Sequence, residues 1–311
     1  MTRMFSLSLL FIDNILFNMP WYFYSIIAML SFSAMVLLIK RIRDLGFSSR
    51  KINLFLFGFV FLDFILINVP SLDKTIASPN FWYSLELIFL TSIVAIFANL
   101  ANIKSIGIAP NPGYSQAIKD TNILPVTILS VLIFGSEFSL LKIFGAVLIL
   151  GGIFLLIKKE FSVNLKQRRR NFPWYIYSLG AALFFTAGAL LLKKITLLGL
   201  SSKEINLFLF GLSWIGFLIL NIQMLRGITR DKKFSQFLKL AFLASCFSFS
   251  GNLFGLQAIT LAPNPGYYEA IKSASVLIVT FLSTKFFSSD ATPSRIFGTI
   301  VIILGVTLLV L

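Results

Sequence analysis

Apolar runs of about 18 to 22 residues, separated by short polar turns, follow one another from Trp21 to Leu311, and about 20 apolar residues are what a helix needs to cross a bilayer. The pattern predicts ten spans. The first five lie at Trp21 to Ile39, Asn53 to Val69, Phe81 to Ile103, Tyr114 to Phe134 and Ser139 to Ile157. The second five lie at Trp174 to Leu192, Asn206 to Leu225, Phe237 to Leu256, Tyr267 to Phe287 and Ser294 to Leu311. A transmembrane β-barrel would instead alternate apolar and polar residues over segments of about 10. Ahead of the first span, Phe5 to Phe17 is shorter, carries Asp13 and Asn14, and is followed by no small-residue cleavage site. It predicts an interfacial helix within an N-terminal segment, 1–20, rather than a signal peptide.

The second set of spans repeats the first. Trp21-Tyr22 returns as Trp174-Tyr175, Ile52 to Gly58 as Ile205 to Gly211, and Ile143-Phe144-Gly145 as Ile296-Phe297-Gly298, always 153 residues on, the distance from Trp21 to Trp174. Laid side by side without a gap, the halves 21–157 and 174–311 agree at roughly 40% of positions. Each half holds an odd number of spans, so the chain begins its second copy from the opposite side of the membrane. The expected architecture is therefore all-α and integral to the membrane, with ten transmembrane helices as two inverted five-helix repeats. That construction recurs in secondary transporters, which bind substrate near the midplane between the halves.

Composition agrees with the pattern: 57% hydrophobic residues, 13% charged, and a mean hydropathy of +0.90 over 311 residues. The net charge of +15 lies in short loops, above all in the basic linker 158–173 between the halves. It reads as a topological signal and not as a nucleic-acid surface. If the more basic side is cytoplasmic, both termini lie outside. With no histidine and a single cysteine, Cys246, the usual metal and haem sites lack their ligands and histidine-assisted triads are impossible. An enzyme is not expected, and neither are cofactors or metals.

A second unbroken identity between the halves is Ala-Pro-Asn-Pro-Gly-Tyr, at Ala109 to Tyr114 and at Ala262 to Tyr267. Proline donates no backbone hydrogen bond and pushes the preceding residue out of the helical region, so Pro110 and Pro263 end one helix. Asn111 and Asn264 then cap the next, with Pro112 and Pro265 at its first position. Gly113 and Gly266 supply a close backbone approach or an unusual dihedral. Together these eight residues form a helix-start turn, or hinge.

Ten spans in two repeats, with this Pro/Gly-marked start to the fourth helix of each, resemble the EamA family of the drug/metabolite transporter superfamily. The glycine-spaced endings Ile143 to Ile153 and Ile296 to Val306 are similar to the fifth helix of that family's repeat. The resemblance covers nearly all of Trp21 to Leu311. It implies a central cavity lined by helices 1, 3, 4, 6, 8 and 9, alternating access, and peripheral helices 5 and 10. It also implies termini in the cytoplasm, against the loop charges. The family carries amino acids, sugars, nucleotide sugars, phosphorylated metabolites and drugs, so the resemblance defines no one substrate.

Lys119 and Lys272 are the residues on which function is expected to rest. Each stands seven residues after a motif proline, about 10 Å along a helix, in the hydrocarbon zone. A lysine there costs at least about 2.5 to 3.5 kcal/mol, so it should face the bundle interior. Glu269, three residues before Lys272, shares its face and can neutralise it; the matching residue in the first half is Gln116. Asp120 should point about 100° away from Lys119, leaving Lys119 the freer cation. Asn99 and Asn252 form a repeat-related polar pair, and Tyr114 and Tyr267 stand at the helix starts beside the expected cavity. Asp63, Glu86 and Asp120 are the candidates to take up a coupling proton.

The expected function is secondary transport of a small polar or anionic metabolite, an amino acid or related carboxylate, with efflux the direction that the family resemblance implies. Lys119 and Lys272 would attract the carboxylate, while Gln116, Glu269, Asn99, Asn252, Tyr114 and Tyr267 complete the site. The alternatives are a carrier of phosphorylated metabolites or nucleotide sugars, and a lipid or polyprenyl-phosphate flippase. The expected partners are the small-molecule substrate and the lipid bilayer, with proton coupling open, no nucleic acid, and either a monomer or a homodimer. The expected location is the cell membrane, the inner one in a bacterial-type cell.

Overall fold

The computed structural model describes residues 19–166, 174–223, 233–287 and 293–311. The N-terminal stretch Phe5 to Phe17 lies outside the described residues, as does the linker beyond Lys166. Twelve principal helices follow: α1 Trp21–Asp44, α2 Ser49–Asn68, α3 Phe81–Ile108, α4 Pro112–Lys119, α5 Ile123–Phe134 and α6 Leu140–Lys166. The rest are α7 Trp174–Thr196, α8 Ser202–Asn221, α9 Phe234–Leu261, α10 Pro265–Ser273, α11 Ser275–Phe287 and α12 Pro293–Val310. Short helical turns join some of them, among them Leu72–Ile76 between α2 and α3.

Among the described residues seven segments are long and apolar enough to cross a membrane: α1, α2, α3, the α4–α5 unit Pro112–Phe134, α7, α8 and α9. Leu140–Leu155 and Phe297–Val310 are shorter apolar helices. Apolar side chains cover the outside of the bundle; Leu132 and Leu183 are 74% and 73% exposed. Such a surface is stable against lipid and not against water. The chain is an integral, multi-pass membrane protein.

The helices overrun the spans read from hydrophobicity. The third continues from Ile103 to Ile108 and the sixth from Leu192 to Thr196, because a helix needs capping to stop, not the end of its apolar stretch. The first nine linker residues, 158–166, likewise continue α6. Starts are well marked. Ser48 accepts from the Lys51 amide at 3.3 Å, and Ser201 with Glu204 forms a reciprocal capping box on α8.

The helices pair across the sequence. α6 packs along α12, α2 along α8, α1 along α9, and α3 along α7. α10 crosses α5 and α1, while α4 crosses α11 and α7.

At the α4–α11 and α10–α5 crossings the motif glycines find their use. Neither Gly113 nor Gly266 has a positive φ, so no unusual dihedral demands glycine there. Contact does: a Cβ on Gly113 would lie 2.1 Å from Thr280 Oγ1, and one on Gly266 would lie 2.0 Å from Thr127 Oγ1 and 2.7 Å from Thr127 Cα.

Candidate functional site

The fourth and ninth predicted spans are each interrupted. In the first half α4 stops at Lys119, a 3-10 turn covers Asp120–Asn122, and α5 begins at Ile123. In the second, α10 stops at Ser273 and α11 begins at Ser275. At the start of each unit the capping geometry is the same. Asn111 and Asn264 are extended and accept from the Gly113 and Gly266 amides, both at 2.8 Å.

Between α4 and α10 lies a cavity of about 170 Å³. Helices α1, α2, α3, α4, α7, α8, α9 and α10 line it, with Ser275 of α11, so the second and seventh predicted spans also contribute wall through Leu56, Phe57, Asn206, Leu209 and Phe210. Among the described residues α6 and α12 contribute none.

Lys119, Lys272, Gln116, Glu269, Asn99 and Asn252 all line this one cavity. Lys119 Nζ lies 2.6 Å from Asp120 Oδ1, and Lys272 is paired with Glu269. The expectation that Lys119 is the freer cation is therefore corrected. The pair stands where α4 gives way to the 3-10 turn, whose neighbouring side chains still point about 100–120° apart, and the long lysine chain reaches across that angle to the carboxylate. Asn122, at the end of that turn, donates from Nδ2 to Glu269 Oε2 at 3.2 Å and ties the two interruptions together. Aromatic rings border both cations, Phe185 at 5.7 Å from Lys119 Nζ and Tyr268 at 5.1 Å from Lys272 Nζ. Gln116 Nε2 donates to Asn102 Oδ1 at 3.2 Å.

Tyr114 and Tyr267 do not reach the cavity. Both are buried in an apolar cluster with Ile149, Ile153 and Ile302, and the Tyr267 hydroxyl accepts from the Ser139 amide and donates to the Glu137 carbonyl. Each is the third residue of its helix, and there its side chain points toward α6 and α12. The tyrosine that does line the cavity is Tyr268, one position on. Its hydroxyl occupies the space left by Gly255, where a Cβ would stand 2.4 Å away. The matching pair in the first half is Ser115 and Asn102, so a large-for-small exchange at one position is matched by small-for-large at the other. That covariation within the repeat was available in the sequence.

Asp63 and Glu86 also lie outside the cavity lining. Asp63 is half-buried on α2 and Glu86 is exposed on α3. Asp120 is 1% exposed and stands behind Lys119.

Three repeat-related pairs of polar side chains engage backbone carbonyls unequally. Lys193 is 8% exposed and donates to the carbonyls of Ile259 at 3.0 Å and of Thr260 and Ala262 at 3.4 Å, the end of α9. Its counterpart Lys40 reaches one carbonyl, Gly107 at 3.4 Å, and shares itself with Asp44. Asn68 donates to Lys203 O at 3.0 Å, whereas Asn221 donates to Arg50 O at 3.4 Å. Asn206 donates to the Ser202 and Asn252 carbonyls, while its fully buried counterpart Asn53 has no hydrogen-bond partner among the described residues. Lys193 fell in a loop on the sequence reading, and only its burial reveals it.

The fold defined by these helices is shared with solved proteins. A crystal structure of a protein superposes with a TM-score of 0.67 at 13% identity, over 92% of this chain and 94% of that one. No protein-family model matches the chain, and no curated protein matches it. What fold and cavity define is a multi-pass, all-helical membrane protein with charged residues gathered at its centre.

Proposed function

We propose that the chain is a secondary transporter of ten helices in two inverted repeats, moving a small polar or anionic metabolite, an amino acid or related carboxylate, by alternating access, with efflux as the direction. The observation that carries this reading is the placement of two repeat-related lysines, Lys119 and Lys272, with their carboxylates on one central cavity. Charges at that depth are costly, and ionisable residues kept there mark functional sites.

The helix pairings support the inverted repeat. Exchanging the halves turns α1–α9 into α7–α3, α10–α5 into α4–α11 and α10–α1 into α4–α7, and leaves α2–α8 and α6–α12 unchanged. The unequal latches support alternating access. At one end of the bundle Lys193 and Asn68 are tightly engaged; at the other Lys40 and Asn221 are looser. Inverted halves that exchange conformations would exchange these roles, closing the second end as the first lets go.

The reading is tested by counterflow in proteoliposomes loaded with unlabelled amino acids and carboxylates. Exchange of label by the wild-type protein, lost in Lys119→Ala and in Lys272→Ala, is the expected result. Wild-type exchange that both variants retain overturns the site.

The latch has its own test. In a Cys246→Ser background, a cysteine replacing buried Leu200, beside the Lys193 latch, should react slowly with a maleimide. Adding Lys193→Met should raise that rate several-fold, because opening that end then breaks fewer hydrogen bonds. An unchanged rate means that Lys193 only braces the helix end.

A further inference from the structure

The charges at the cavity are balanced, and balanced by different residues in the two halves. The first contributes Lys119 and Asp120; the second contributes Lys272 and Glu269. The lysines are repeat-related, but the carboxylates are not: Asp120 matches Ser273, and Glu269 matches Gln116. The position of the acid has moved between the copies while the count has stayed at one acid for one lysine. A requirement for neutrality explains that; a requirement for a particular carboxylate does not.

The four groups are not equally presented. Lys119, Lys272 and Glu269 line the cavity, whereas Asp120 is buried behind Lys119. The cavity thus offers a cation whose counter-charge is behind it and, across the α4–α10 junction, an anion held by Lys272 and Asn122. The remaining wall is largely apolar and aromatic, including Phe32, Phe57, Phe184 and Phe210.

We propose that this cavity selects a zwitterion with an apolar body over a plain anion or a plain cation, Lys119 receiving the carboxylate and Glu269 the ammonium group. The inference rests on the transport reading above and narrows it. A lone carboxylate would leave one unbalanced negative charge in a site surrounded by hydrocarbon, and a phosphate ester would leave up to two. A zwitterion leaves none. Its two charges approach groups of opposite sign, so each ion pair gains a partner without surrendering its own.

The test uses sets of three compounds sharing one body. One set is L-phenylalanine, 3-phenylpropionate and 2-phenylethylamine; the other is L-leucine, 4-methylpentanoate and 3-methylbutylamine. Binding to the purified wild-type protein is read from the rise in its unfolding temperature and by titration calorimetry. In at least one set the amino acid should bind about tenfold or more tightly than either relative. Glu269→Gln should bring amino acid and carboxylate within about threefold of one another, and Gln116 shows that an amide is accommodated at the matching place. Equal wild-type binding of amino acid and carboxylate overturns the zwitterion assignment and leaves a carboxylate carrier standing. Binding of glucose 6-phosphate in preference to every member overturns both readings. Failure of all members to bind overturns the zwitterion assignment.

Discussion

Lys272→Met is expected to abolish transport and to lower the stability of the folded protein by about 3–5 kcal/mol, the usual cost of leaving one member of a buried ion pair alone. Glu269 is 4% exposed, and without Lys272 its remaining partner among the hydrogen bonds above is the Asn122 amide, which carries no charge. The double variant Lys272→Met/Glu269→Gln should recover most of that stability, since it removes both charges and keeps both shapes. It should not recover transport. Thermal unfolding in detergent measures the first effect and counterflow the second. A double variant as unstable as the single would show that the pair is not what keeps this junction neutral. Asp120 is expected to behave like Glu269 when Lys119 is removed, because it too is buried and ion-paired.

Gly266→Ala is the second large effect, and its repeat-related counterpart should be milder. At Gly266 the new methyl would meet Thr127 Cα at 2.7 Å as well as Thr127 Oγ1. Backbone cannot rotate away, so α10 and α5 must separate, with a loss of about 1–3 kcal/mol or more. At Gly113 the close atom is the tip of a side chain, Thr280 Oγ1, and Thr280 Cβ stands back at 3.1 Å. Thr280→Ala should therefore rescue much of Gly113→Ala, whereas Thr127→Ala should not rescue Gly266→Ala. Unfolding temperatures of the four single and two double variants check this. Equal rescue at both sites would mean that the crossings are more compliant than their distances indicate.

Much of this molecule is legible in one sequence because the membrane simplifies the problem. A chain in hydrocarbon must satisfy its backbone within helices, so long apolar runs leave few alternatives. The pairing of Asn111 and Asn264 with prolines and glycines likewise specifies two helix starts by purely local geometry. What was misread lies where helices end or break. The 3-10 turn at Asp120–Asn122 has no apolar signature, and the angular argument that set Asp120 away from Lys119 ignored the reach of the lysine chain. The same assumption of a simple helical face put Tyr114 and Tyr267 at the cavity, when it is Tyr268 that enters it.

By itself the sequence determined the helical, membrane-embedded class, the internal repeat of the sequence, the capped helix starts, and Lys119 and Lys272 as a repeat-related pair. These depend on residues close in the chain or on a comparison of the chain with itself. Only the tertiary structure decided that Asn122 links the two interruptions, that Gly255 makes room for Tyr268, and that Lys193 grips the end of α9 where Lys40 barely holds α3. Those facts join residues as far as 147 positions apart, as from Asn122 to Glu269. They are set by how helices cross, and crossings are fixed by contact between side chains that no local pattern brings together.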